Sequence, residues 1–153
     1  MTATNFRTGM ESGAIWVEPP AVCLSPLLTE GELAGSGVAV AERWARPAEL
    51  LKALRTEPVL IDGSKFLIDL FFRADRLEET HLILQDRRYD ATSWDDGIEE
   101  KELARKKAHD EWLGERLGAP PYVYSWGAIT SAYNPRDLAS RIEVKYRKFA
   151  VLP

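Results

Sequence analysis

Apolar positions recur along the chain with two periods, and the changes between them mark the elements. Gly13 to Glu18 alternates as a short strand, stopped by Pro19-Pro20. The dozen residues before it are polar and predict a loose segment, 1–12, ahead of a single domain, 13–153. Thr29 to Glu32 has the capping-box spacing for about one helical turn, broken by Gly35-Ser36-Gly37. Val38 to Trp44 alternates as a strand, with a helix as the alternative. Pro47 suits a first helical turn, where its missing N–H would have no partner. Leu50, Leu51 and Leu54 then share one face, so the spacing predicts a helix over 47–56, ended by Pro58.

Val59-Leu60-Ile61 reads as a strand and Asp62-Gly63-Ser64 as a turn, because glycine accepts a positive φ. Lys65 to Arg73 is a longer strand, 74–79 turn the chain, and His81 to Leu84 is the next strand. Arg87 to Ala91 is loop. Such short connections require an antiparallel meander. Ser93 offers an N-cap with Asp96 three residues on, helix formers dominate from Glu99 to Arg116, and Gly118 with Pro120-Pro121 supplies the stop. A helix over about 95–117 follows. Its apolar stripe is Ala104, Ala108 and Trp112, with Leu113 and Leu117 beside it. Lys101 and Arg105 spoil that stripe towards the N-terminus, which predicts a first part standing free of the core.

Tyr122 to Tyr133 and Ser140 to Tyr146 form a terminal hairpin about the turn Asn134-Pro135-Arg136-Asp137. Ile142, Val144 and Tyr146 should face the core, and Arg141, Glu143 and Lys145 water. Helices interrupt runs of hairpin-linked strands. The expected fold is α+β: one mainly antiparallel sheet, a long helix packed across it and a C-terminal β-hairpin.

At 153 residues, 45% hydrophobic and 29% charged, the chain has the composition of one globular domain. Its net charge of −4 is the wrong sign for a dedicated nucleic-acid binder. No apolar run approaches a bilayer span, so no membrane partner is expected. The N-terminus shows no secretory pattern, and Cys23 has no second cysteine to pair with. A cytoplasmic location fits these features. Charge is even between the halves but segregates in the second. Asp95, Asp96, Glu99, Glu100 and Glu102 face only Lys101, while Arg136, Arg141, Lys145, Arg147 and Lys148 face only Asp137 and Glu143.

Candidate chemistry is sparse. His81 falls in an apolar strand. His109 flanks the helical stripe, and its neighbour Asp110 lies about 100° away around the helix, so the two form no dyad. A structural role is expected for each histidine. Cys23 sits among apolar residues as a small hydrophobe. Gly35-Ser36-Gly37 lacks the third glycine and the lysine of a phosphate cradle. Asp95-Asp96 fits no calcium loop, and helix capping explains both residues. No catalytic residue, metal or cofactor is expected. Of five tryptophans, most are expected in the core. Trp94 differs, standing among acids where the stripe fails: a side chain folded back onto the sheet is one reading, and a protein-binding contact, which this composition suits, is the other.

From the long helix onward the chain carries Ser93-Trp94-Asp95-Asp96, then Glu102-Leu103-Ala104-Arg105-Lys106 and His109-Asp110-x-Trp112-Leu113. Leu117-Gly118, Trp126-Gly127-x-Ile129-x-Ser131-x-Tyr133-x-Pro135-Arg136 and Ile142-x-Val144-x-Tyr146 follow. Over residues 93–146 this resembles small bacterial proteins encoded beside type VI secretion and Rhs-type toxin genes. Asn134 stands where that group has Asp before Pro, which changes little for a turn. The resemblance implies a setting in which a cytosolic immunity protein binds and silences a cognate toxin. The alternatives are an adaptor or chaperone for a secreted effector, and a small enzyme. Acidic balance favours a basic protein partner, and Trp94, Asp95, Asp96, Glu99 and Glu100 are the expected partner-binding residues.

Overall fold

The computed structural model describes residues 5–18, 21–89 and 97–146. A short helix α1 (Asn5–Gly9) leads into the hairpin β1 (Ile15–Val17) and β2 (Val22–Leu24), and then into helix α2 (Glu30–Gly35). Strands β3 (Val40–Arg46), β4 (Leu51–Thr56), β5 (Val59–Ile61), β6 (Ser64–Arg73) and β7 (Arg76–Leu84) follow. The long helix α3 (Ile98–Leu117) precedes β8 (Tyr122–Tyr124), β9 (Gly127–Asn134) and β10 (Ala139–Tyr146). The large sheet runs β3-β4-β6-β7-β10-β9-β8, with β5 also on β6. All of its ladders are antiparallel. This is the expected α+β architecture, with α3 across β7, β10 and β9 and a hairpin of β9 and β10.

Strand alternation divides the sheet into two unlike faces. Phe66, Ile68, Leu70 and Phe72 of β6, Leu82 of β7, and Ile142, Val144 and Tyr146 of β10 all join one buried cluster. The other face carries Asp69, Phe71, Glu79, His81, Arg141, Glu143 and Lys145, none of which belongs to that cluster. The expected phase of the last strand therefore holds. Trp112 is buried between helix and sheet, edge-on to Phe6 and Phe66 at 4.7 and 5.0 Å.

Several local expectations differ. Within the N-terminal segment the structure describes residues 5–12. Phe6 and Met10 are buried, and the Met10 carbonyl accepts from Trp126 Nε1 at 2.7 Å. The expected helix over 47–56 is a 3₁₀ turn, Pro47–Glu49, followed by strand β4. Leu50 takes a left-handed conformation (φ 58°) that breaks any helix and leaves its side chain 64% exposed. A ten-residue helix is marginal alone, whereas β4 is paired on both sides, by β3 and β6. The β6–β7 connection is only Ala74-Asp75, both at positive φ, so β7 starts five residues before His81. Its Glu78 and Glu79 resembled a loop because a strand with one open face accepts charge. The Thr29–Glu32 capping box is formed as expected, and Asp62-Gly63 makes the left-handed turn. Gly127 ends the β8–β9 turn where a Cβ would lie 2.1 Å from the Lys145 carbonyl oxygen.

Candidate partner-binding surface

Helix α3 begins at Ile98, with Gly97 as its cap in a left-handed conformation, and the expected cap Ser93 lies outside the described residues. Trp94, Asp95 and Asp96 lie outside the described residues. Glu99 and Glu100 occupy the first turn and are exposed, near the positive end of the helix. Along the outer side Leu103, Lys107, Glu111 and Glu115 are also exposed. This surface is predominantly acidic, with one large apolar side chain, Leu103, 46% exposed.

The inner side corrects the expected stripe. Ala104 is exposed and Ala108 only half-buried, while Glu102, Arg105 and His109 are buried with Trp112 and Leu113. The first part of α3 is therefore docked, and by polar groups. Glu102 pairs with Arg105 and accepts the Ser140 N–H at 2.9 Å. The Ser140 hydroxyl donates to the Glu102 carbonyl. Arg105 Nε donates to the Leu84 carbonyl at 3.0 Å, and its guanidinium lies 5.5 Å from the centre of the Tyr89 ring. The Leu84 N–H donates to His109 Nε2 at 3.0 Å. One helix thus holds both backbone groups of the last residue of β7. Burial and the Arg105 charge lower the His109 pKa to about 3, so the ring stays neutral. With Nε2 accepting, its proton sits on Nδ1.

The open sheet face holds residues that no sequence motif marked. Asp69, 2% exposed, receives Arg55 Nε and Nη2 at 2.6 and 2.9 Å and Arg43 Nη1 at 3.0 Å. Opposite it in the ladder, His81 contacts Glu79 at 2.5 Å and stacks obliquely on Phe71. Burial raises the Glu79 pKa, but the His81 bond and the charges of His81, Lys145 and Arg141 outweigh it and leave the carboxyl low. The available signal was Asp69 itself, a lone acid in the apolar run Phe66 to Phe72. Trp44 is partly exposed on this face, and Trp16 is exposed on β1. Only Trp112 and Trp126 of the described tryptophans are core.

Between α3 and the β8–β9 hairpin lies a groove of about 480 Å³, lined by Lys106, Asp110, Pro120, Pro121, Val123 and Ile129 among others. Lys106 and Asp110 form an ion pair at its helical wall. A shallower hollow of about 350 Å³ lies by Arg43, Arg55 and Leu67.

No protein-family model, curated protein or solved structure matches the chain. Among the described residues no group of three or more His, Cys, Asp or Glu side chains is placed to hold a metal ion, and no helix is long and apolar enough to cross a membrane. Cys23 is half-buried, and burial raises its thiol pKa, which reduces the thiolate fraction. His109 is committed to a backbone bond and His81 to Glu79.

Proposed function

We propose that this protein is a cytosolic immunity protein that neutralises a secreted bacterial toxin by direct contact. The resemblance of residues 93–146 to proteins encoded beside secreted toxins suggests the setting. The observation that carries the reading is the outer side of α3, where Glu99, Glu100, Glu111 and Glu115 are exposed together with Leu103 and a single lysine, Lys107. Acidic side chains speed encounter with a basic toxin surface, and a central apolar contact slows release. Trp94, Asp95 and Asp96 remain proposed partner-binding residues on sequence grounds alone. Both histidines are engaged in structural bonds, which favours binding over catalysis.

The test is co-expression with a toxin-domain reading frame found beside its gene, and a neighbourhood without one counts against the reading. The expected result is restored growth and a stable complex of the two purified proteins. A complex without protection replaces this reading with the adaptor, and absence of both rejects a role against that toxin.

A further inference from the structure

The two edges of the large sheet are built differently. At one end β3 carries Glu42, Arg43 and Arg46 and a bulge between Glu42 and Trp44. Charge and bulges are devices that keep an edge from pairing with another chain. At the other end β8 covers only Gly127 to Ile129 of β9. The positions that would continue the ladder opposite Thr130 and Ser131 are Pro121 and Pro120, which have no N–H to donate. Among the described residues, Thr130 to Asn134 therefore has no strand on its outer side. The segment Thr-Ser-Ala-Tyr-Asn is uncharged, contains no proline and pairs with β10 without a bulge.

The hairpin fixes which groups point outward. Tyr124 and Gly127 flank the Ser125-Trp126 turn, and such a flanking pair exchanges both backbone bonds. Alternation then aims the N–H and C=O of Ser131 and Tyr133 away from β10. The helical wall beside this edge presents Glu99, Leu103, Lys106 and Asp110 at i, i+4, i+7 and i+11, on one side of α3. Burial, with the charges of Glu99 and Glu102, raises the Tyr133 pKa, and Lys106 and Asp110 line the groove. An open ladder thus runs alongside an apolar recess with an acidic end.

We propose that Thr130–Asn134 receives an extended strand from a protein partner, its backbone pairing with Ser131 and Tyr133 and an apolar side chain entering the groove near Pro120, Pro121 and Val123. This deepens the protein-binding reading above and rests on it, by naming how the partner docks. The partner strand is uncharged at its centre and basic at its flanks, complementing Glu99 and Glu100. Charge argues against a second copy as occupant. Two β9 edges meeting across a two-fold axis would bring two acidic α3 surfaces together, in a chain of net charge −4.

The test uses a blocked synthetic peptide, Lys-Thr-Val-Thr-Val-Thr-Lys, with the full chain. Saturating peptide should slow hydrogen exchange at the Ser131 and Tyr133 amides by at least about tenfold. N-methylation of alternate peptide residues should weaken binding about tenfold or more, and so should Ser131→Pro. The N-methylated peptide keeps the test decisive where the proline variant fails to fold. Strand addition is overturned if those amides stay unprotected at saturation, if the N-methylated peptide binds as well, or if sedimentation shows the free chain already dimeric through this edge. Intact peptide binding without growth protection in co-expression supports strand addition and removes the toxin reading. Growth protection without peptide binding does the reverse.

Discussion

The two halves of α3 dock by different chemistry. The C-terminal half inserts Trp112 and Leu113 between Phe6, Phe66 and the sheet, and Trp112 also donates Nε1 to the Ser64 hydroxyl at 3.1 Å. Burial of this kind is strong but non-directional. The N-terminal half inserts Glu102, Arg105 and His109, which bond to backbone atoms of Leu84, Tyr89 and Ser140. Directional bonds to named backbone atoms fail together if the helix slides by one residue. The apolar half therefore supplies stability, and the polar half fixes register. A buried ion pair adds little net stability of its own, but removing one partner strands the other charge.

Substitutions can break this division, beginning with the largest effect. Trp112→Ala should cost about 3–5 kcal/mol in chemical denaturation. A loss below about 1 kcal/mol would mean that the apolar half does not anchor the helix. Glu102→Ala should cost about 3 kcal/mol, since Arg105 stays buried without its carboxylate. Replacing both, Glu102→Met with Arg105→Met, should recover most of that loss while broadening the spectra of residues near Leu84 and Ser140. Full recovery with sharp spectra would deny the polar half its role in register.

His109 sharpens the comparison through pH. Its folded pKa of about 3 lies below the ordinary 6.5, so between these values the unfolded chain binds a proton that the folded chain does not. Stability is fully present above about pH 6.5 and falls as pH drops towards 3, by at most about 1.4 kcal/mol per unit. Glu79, with its carboxyl held low, acts in the same direction: its contribution is lost as pH falls through its folded pKa. His109→Gln, which keeps an acceptor for the Leu84 N–H, should flatten the slope between pH 4 and 6.5. An unchanged slope would place the acid sensitivity elsewhere. The smallest effect on stability belongs to the outer side. Glu99→Lys with Glu100→Lys should move stability by no more than about 0.5 kcal/mol, while slowing association with the partner and weakening its salt dependence. Unchanged association rates at two salt concentrations would remove these residues from the interface.

Fold class was legible because hairpin turns and alternation are local signals. Asp62-Gly63, the Thr29–Glu32 box and the phase of Ile142, Val144 and Tyr146 all depend on near neighbours. What failed depended on distant ones. Leu51 to Thr56 becomes a strand because β3 and β6 pair with it, and helix-like leucine spacing contains no trace of either. Arg105 looked like a break in an apolar stripe because its acceptors, the Leu84 and Tyr89 carbonyls, are 21 and 16 residues away. Of the expected binding residues, Glu99 and Glu100 are exposed as their composition suggested. The groove beside β9 had no sequence signal, since it arises where Pro120-Pro121 ends β8 next to a helix placed by other contacts.

The order of strands in space also differs from their order of synthesis. β10 is made after every other strand of the sheet, yet it lies inside it, between β7 and β9. Until β10 emerges, β7 keeps an open edge bearing Thr80 and Leu82, its partners-to-be Val144 and Ile142 still missing. The Trp126–Met10 bond spans 116 residues, a delay on the order of ten seconds at ordinary translation rates. A nascent chain must therefore hold an apolar strand edge in waiting, and its demand for chaperone protection should peak just before β10 leaves the ribosome.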